Sequence, residues 1–144
     1  MARRTFTPGQ ANRTLPLVRR IVADVLARGS EARALVERIE AGEAEGPQAR
    51  LRVLDLELRE LMEELERIGC LYKDWGFESG LVDFPSEIDG RSVLLCWRSD
   101  EDEIRFYHTP DAGFAGRKPI PRRLLGGAPR EPGASEAPGK RSRG

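Results

Sequence analysis

The chain is predicted to be an α+β protein, in which a long antiparallel helical hairpin, coiled-coil-like, precedes a small three- or four-stranded antiparallel β-meander. Two observations predict this fold. Between residues 18 and 68, apolar side chains recur at alternating spacings of three and four, which is typical of helices that pack along one seam. After residue 70, short runs of β-branched and aromatic residues alternate with turn-forming segments, which indicates antiparallel strands.

The first helical region begins near Thr7, because this capping residue is followed at once by Pro8 and three residues later by Gln10. A second start is indicated at Leu15 and Pro16, since proline is favoured in the first turn of a helix and disrupts its interior. We therefore expect a short opening helix followed by a long one.

Two apolar seams define the hairpin. The first contains Val18, Val22, Val25, Gly29, Ala32, Val36 and Ile39. The second follows the helix breaks at Gly42 and Gly46-Pro47 and contains Leu51, Leu54, Leu58, Leu61, Leu65 and Ile68. Because glycine is a poor helix former, Gly29 on a seam indicates close approach of the second helix or a bend, and we prefer close approach. Leu17 and Ile21 widen the first stripe where we expect the sheet to pack.

The candidate strands are Leu71-Tyr72 and residues 81–84, 93–98 and 104–108. We expect Arg98 to pair with Glu103 across a loop of four residues. Alternation then gives one face with Val93, Leu95, Trp97, Ile104, Phe106 and His108, and an opposite face with Leu94, Cys96, Arg98, Glu103, Arg105 and Tyr107. The first face is more apolar, so it is expected to contact the helices.

The charge balance, the cysteines and the lengths of the apolar runs argue against several classes of function. The 24 basic and 24 acidic residues cancel, which argues against the one-signed field of a nucleic-acid-binding domain. The two cysteines show no metal or disulfide spacing, which favours reduced thiols and a cytoplasmic protein. No apolar run has membrane-spanning length, so we expect no membrane contact. We expect residues 1–121 to form one domain and residues 122–144 a disordered, basic tail rich in glycine, proline and arginine.

Several segments together resemble a known bacterial family. They are the opening Phe6-Thr7-x-x-x-Ala11-Asn12, the charged hairpin, then GLVDFP, LCWR, a tyrosine-histidine step and GFAGRKPI, which together cover about residues 5–121. In their order and spacing they resemble the family called domain of unknown function 2203. The resemblance implies a small cytosolic bacterial protein and implies no particular reaction, ligand or partner.

The candidate ligand-binding residues are Asp83, Trp97, His108, Arg117 and Lys118. Asp83 lies in an otherwise apolar strand and needs a partner, such as His108, Arg117 or a backbone amide, because an unpaired buried carboxylate costs several kcal/mol. Arg117 and Lys118 follow a turn with two glycines whose amides could face a phosphate or carboxylate. Structural roles explain all five residues equally well.

A metal site would have to combine Asp83, Cys96, Glu103 and His108. The predicted alternation places Cys96 and Glu103 on the face opposite His108, so we expect no bound metal and no cofactor. Cys96 also lacks the neighbouring base and helix N-terminus of a nucleophilic cysteine.

Three functions are compatible with these features. In the preferred one, the domain is a non-enzymatic interaction or assembly module, whose hairpin pairs with itself or with another helical protein through an apolar interface at Val53 and Leu56. In the second, it binds a small anionic metabolite, with or without catalysis, at the helix-sheet junction around Asp83, His108 and Arg117. In the third, the basic tail binds nucleic acid weakly.

Overall fold

Two long helices and a five-stranded sheet make up the part of the chain that the computed structural model describes, residues 4–43 and 46–125. The elements are α1 (Pro8–Glu40), α2 (Pro47–Ile68), β1 (Leu71–Tyr72), β2 (Leu81–Ile88), β3 (Arg91–Arg98), β4 (Phe106–His108), β5 (Lys118–Pro119) and the short α3 (Arg122–Leu125). Neighbouring strands are antiparallel and follow chain order. The predicted α+β class is therefore confirmed. The additional strand, β5, has two residues and contains a proline, which a sheet tolerates at its edge.

Helix α1 is continuous, which contradicts the prediction of a separate opening helix. It begins with a capping box, in which the Thr7 hydroxyl accepts from the Gln10 amide at 3.1 Å and the Gln10 side chain accepts from the Thr7 amide at 2.9 Å. Pro16 lies inside the helix on its exposed side, while Leu15 and Val18 are buried. Because this apolar face packs into the core, the loss of one backbone hydrogen bond at Pro16 does not break the helix.

Gly29 makes room for an aromatic ring. A Cβ atom built on Gly29 would lie 2.2 Å from Cγ of Phe77, which belongs to the loop between β1 and β2. Phe77 has a φ of 58°, a left-handed conformation that is unfavourable for a bulky residue, so its packing on α1 helps to hold this loop. The atoms nearest to a Cβ on Gly29 therefore belong to Phe77 and not, as predicted, to the second helix.

One face of the sheet packs against the helices and forms the core. This inner face contributes Val82, Phe84, Leu95 and Trp97, which cluster with the buried residues of α1. Trp97 is fully buried, and its indole N–H donates to the Glu101 carbonyl at 2.9 Å. Ile21 is buried as predicted, but Leu17 is 47% exposed and does not contribute to the contact with the sheet.

The register between β3 and β4 differs from the predicted register by one residue. The predicted pair was Arg98 with Glu103, whereas the structure pairs Leu94 with His108. Because successive side chains in a strand point to opposite faces, a one-residue shift moves every side chain of β4 to the other face. His108 therefore shares the outer face of the sheet, away from the helices, with Cys96.

Two contacts hold the connection between β3 and β4, where the register departs from the prediction. The Asn12 side chain bonds both backbone groups of Ile104, accepting from its amide at 2.7 Å and donating to its carbonyl at 3.2 Å. The Glu101 carboxylate accepts from the Arg98 amide at 2.8 Å and closes a turn directly after β3. Since Ile104 is bonded to α1, β4 begins only at Phe106.

The start of the predicted tail lies within the described residues. Arg122–Leu125 form α3, and Arg123 forms an ion pair with Asp89 at 3.0 Å. Residues 126–144 lie outside the described part of the chain, so the disordered basic tail remains a prediction. Within residues 4–43 and 46–125, no helix combines the length and the apolar character needed to cross a membrane.

The substitution Gly29→Ala is expected to lower the free energy of unfolding by about 1–3 kcal/mol, because the new methyl group collides with the Phe77 ring. Gly9→Ala in the same helix is the matched control, since its Cβ would meet Arg13 at an ordinary 3.6 Å. There we expect no loss, or a gain of up to about 1 kcal/mol from helix propensity. Urea unfolding measures both. Equal gains in the two variants would contradict the proposed contact.

Candidate functional sites

Three polar side chains converge on the outer face of the sheet. Asp83 of β2 pairs in register with Cys96 of β3, and His108 of β4 lies beside them. Each residue is 2–3% exposed. One potential ligand atom of each, a carboxylate oxygen, the sulfur and an imidazole nitrogen, lies within 4.8 Å of the other two. The prediction that these side chains do not converge is therefore wrong for Asp83, Cys96 and His108. Glu103 is instead exposed and forms an ion pair with Arg105 at 3.6 Å.

Hydrogen bonds fix the orientation of the His108 ring. Its Nδ1 lies 2.8 Å from the carbonyl oxygen of Thr109, and its Nε2 lies 3.1 Å from Oδ2 of Asp83. A carbonyl oxygen can only accept, so Nδ1 carries a proton and Nε2 faces the carboxylate. This contact gives the Asp83 carboxylate a polar partner, without which it would be buried unpaired.

A cavity of about 280 Å³ opens in front of these three side chains. Its remaining lining comes from Leu81 and Leu94 of the sheet, from Lys73, and from the loop after β4, which contributes Pro110, Gly113 and Phe114. No residue of α1 or α2 lines it. The site around Asp83 and His108 therefore lies on the face opposite the predicted helix-sheet junction.

The thiol of Cys96 is held in its protonated form. Burial, together with the nearby charge of Asp83, raises the pKa of Cys96 to about 12. A cysteine with this pKa is a poor nucleophile near neutral pH, because the reactive species is the thiolate. The structure thus agrees with the sequence-based view that Cys96 is not set up for covalent catalysis.

Arg117 is held by other protein groups. Its guanidinium donates to the Glu101 carboxylate at 2.7 Å and to the Cys96 carbonyl at 3.1 Å. It also lies over the rings of Phe106 and Phe114, at 4.2 and 4.6 Å from their centroids. Its Nε is buried without a hydrogen-bond partner among the described residues. Arg117 therefore supports the loop that covers the cavity, and its Nη2 is engaged by two protein acceptors.

The other candidate residues lie apart from the cluster. Trp97 is in the core on the inner face of the sheet. Lys118 is exposed in β5 and pairs with Tyr107, which places it on the face opposite His108. In the turn before Arg117, the amides of Gly116 and Arg117 are already bonded to carbonyls of that turn. These two amides are thus not free for an anion, and the anion site at Arg117 and Lys118 stays a prediction.

Sequence reasoning left Cys96 and Lys73 out of the candidate site. Cys96 was excluded by the predicted register, and the loop before β4 is held by a contact between residues 92 positions apart, Asn12 and Ile104. No local pattern reports such a contact. Lys73 lies in a loop just after β1, a segment expected to border the candidate site, but it was not itself among the candidate residues.

A second candidate site is an apolar groove along the hairpin, which we call the hairpin groove. It has a volume of about 780 Å³ and is lined by Gly29, Ala32, Arg33, Val36, Glu37, Leu51, Asp55, Leu58, Arg59, Met62, Trp75 and Phe77. Trp75 is 62% exposed and packs edge-on against Tyr72 and Phe77. Large apolar side chains seldom remain this exposed in a contiguous patch unless the patch contacts a partner.

The predicted interface residues Val53 and Leu56 lie outside this groove. They are 43% and 58% exposed and, three positions apart on α2, lie on the same side of the helix. They form a smaller apolar spot, separate from the groove.

Comparison with known proteins identifies one family. Residues 4–120 match a family described as "Uncharacterized conserved protein (DUF2203)". No curated protein and no solved structure matches the chain.

Both cysteines are expected to resist alkylation in the native, metal-free protein at pH 8. Burial raises the pKa of Cys70 to about 12, as it does for Cys96, so the thiolate fraction at pH 8 is about one in ten thousand. Iodoacetamide labelling followed by mass spectrometry measures this. The control is the same reaction in urea, where both thiols should react. Rapid labelling of one thiol in the folded protein would contradict the burial argument.

Arg117→Lys is expected to lower the free energy of unfolding by about 1.5–3 kcal/mol. A lysine ammonium cannot bond Glu101 and the Cys96 carbonyl while stacking between two rings. Arg105→Lys is the matched control, because Arg105 is exposed and its ion pair is long. Urea unfolding of both variants tests this, and equal stabilities would show that the Arg117 contacts contribute little.

Proposed function

Since the chain belongs to the DUF2203 family, whose description names no activity, we propose a function from its surfaces: the domain is an interaction module whose hairpin pairs with a second copy of the chain. The observation that carries this proposal is the hairpin groove with its exposed Trp75. Aromatic residues beside apolar grooves are the usual anchors of protein-protein contacts. Val36, on the α1 side of the groove, is 39% exposed and extends the apolar surface.

Charge complementarity favours a second copy as the occupant. The groove lining includes two basic side chains, Arg33 and Arg59, and two acidic ones, Glu37 and Asp55. In a two-fold symmetric contact the same patch meets itself, so a patch with equal numbers of both signs can pair each cation with an anion. Two antiparallel hairpins that join along such a groove would form a four-helix bundle, an arrangement that buries apolar faces on both partners.

A second candidate function is small-ligand binding in the cavity of the outer sheet face. The convergence of Asp83, Cys96 and His108 on a cavity favours it. An anionic metabolite held by Arg117 is less well supported, because Arg117 is engaged with Glu101. A catalytic role would need a group that changes the chemistry of this site, since the Cys96 thiol alone is unreactive.

We propose a cytoplasmic location for the protein, because its two cysteines form no disulfide. Cys70 and Cys96 are free, and buried free thiols are typical of the reducing cytoplasm. Weak nucleic-acid binding through the basic tail stays a prediction, because residues 126–144 lie outside the described part of the chain.

Val36→Glu is expected to convert a dimer into a monomer, because it introduces a charge into the apolar part of the groove. Val53→Glu is the matched control: it is the same substitution in the other helix of the hairpin, at a similarly exposed valine outside the groove. Sedimentation velocity of the full chain between 1 and about 100 μM, the range of moderate protein affinities, measures the subunit number.

The outcomes separate the two surfaces. A dimer that is lost in Val36→Glu and retained in Val53→Glu supports the groove. The reverse pattern would place the contact at Val53 and Leu56. A monomeric wild-type chain at the highest concentration would overturn pairing with a second copy.

A further inference from the structure

We propose that Asp83, Cys96 and His108 bind one divalent transition-metal ion of the zinc class. This inference does not depend on the proposed hairpin function, because the cluster lies on the opposite side of the sheet from the helices. It also reverses the expectation from sequence that no metal site exists.

The chemistry of the donors selects the ion. The cluster offers a thiol sulfur, an imidazole nitrogen and a carboxylate oxygen. Zinc accepts all three ligand types, whereas calcium and magnesium prefer oxygen alone. All three residues come from β strands rather than mobile loops, so their backbones are fixed by the sheet.

The spacing of the donors fits such an ion after small side-chain adjustments. Ligand atoms around tetrahedral zinc lie about 3.5 Å apart, as bond lengths of about 2.0 to 2.3 Å require. Here Nε2 of His108 and Oδ2 of Asp83 are 3.1 Å apart, and no pair among the three donors exceeds 4.8 Å. Movement of the side-chain atoms by about 1 Å would bring the three donors to the spacing of tetrahedral zinc. Only side chains need to move, because all three residues already lie on the outer face of the sheet.

The His108 ring is already held as metal-bound histidines are. Metal ligands of this type donate their second ring N–H to a carbonyl or carboxylate, which fixes the ring and directs the other nitrogen at the ion. The Thr109 carbonyl accepts from Nδ1 at 2.8 Å and leaves Nε2 facing the cluster. The same nitrogen lies 3.1 Å from Oδ2 of Asp83, so both donors face one point.

Charge also favours a dication at this position. A carboxylate and a thiolate together carry two negative charges, which one divalent ion neutralises in a buried setting. Metal coordination deprotonates a thiol outright, so the high pKa of metal-free Cys96 does not prevent ligation. The arginine nearest the cluster, Arg117, is neutralised by Glu101 and does not compete for Asp83.

Three protein ligands leave a fourth position for another group. Zinc sites with three protein ligands and a bound water are typical of catalytic rather than structural zinc. The cavity of about 280 Å³ lies against the cluster and has room for water or a small molecule. Lys73 in its lining would favour an anionic fourth ligand, such as a carboxylate or hydroxide.

The test is a Zn²⁺ titration of the full chain, purified without a histidine tag and first treated with a chelator. Isothermal calorimetry gives stoichiometry and affinity, and Co²⁺ substitution reports a thiolate ligand through its charge-transfer absorption. His108 is the single histidine of the chain, so its imidazole NMR signal reports coordination without assignment of other rings. We expect one ion per chain, a higher melting temperature and a shifted His108 signal.

Matched variants locate the site. Cys96→Ser keeps the size of the side chain and is expected to weaken Zn²⁺ binding about 100-fold or more, with His108→Gln doing the same. Cys70→Ser is the control, because Cys70 is the other buried thiol and lies near Leu65 on the helix side. Circular dichroism confirms that each variant is folded, and the wild-type titration provides a test that needs no substitution.

Each result decides the proposal. One bound Zn²⁺ that is lost in Cys96→Ser and kept in Cys70→Ser supports it. No Zn²⁺ binding by the wild type at micromolar concentration would overturn it and leave Asp83 and His108 as a structural pair. Binding that is unchanged in Cys96→Ser would also overturn it, because the ion would then lie elsewhere.

Discussion

The register between β3 and β4 determines what the outer face of this domain can do, and the Asn12 side chain holds the loop that precedes β4. By bonding both backbone groups of Ile104, Asn12 ties the loop after β3 to the first turns of α1. The strand resumes at Phe106, and its register with β3 places His108 beside Cys96 rather than against the helices. The polar cluster on the far side of the sheet depends on this register.

The polar side chains on the outer face are buried, so each of them needs a partner. Strand β2 buries Asp83 among apolar neighbours, and a buried carboxylate without a partner would destabilise the fold by several kcal/mol. His108 supplies the partner at 3.1 Å, and the loop that carries Phe114 and Arg117 covers the surrounding surface. The Glu101 carboxylate neutralises Arg117 and also accepts a hydrogen bond from the Arg98 amide at the end of β3. These polar contacts satisfy one another, which explains why they can be buried together.

The features that could be predicted from sequence are those that repeat. The seams of three- and four-residue spacing predicted both long helices, and the alternation of apolar runs predicted the antiparallel sheet. Features that depend on one distant contact could not be predicted. Pro16 signals a helix start, yet burial on either side keeps α1 continuous. Gly29 signals close packing, but its partner is Phe77, a loop residue whose position no periodicity reveals. The convergence of Asp83, Cys96 and His108 was missed because it depends on the register between β3 and β4, which no local pattern reveals.

The segment after β1 joins the two candidate sites. It contributes Lys73 to the cavity of the outer sheet face and Trp75 and Phe77 to the hairpin groove. The Asp74 carboxylate accepts from three backbone amides of this segment, at 2.7 to 3.0 Å, which makes it a stiff connection rather than a loose loop. Phe77 in turn is seated on Gly29 of α1. One short segment therefore lines both candidate sites, with Lys73 on the outer sheet face and Trp75 on the hairpin side. The Asp74 turn reverses the chain between these two positions, which is why residues so close in sequence can line cavities on opposite sides of the sheet.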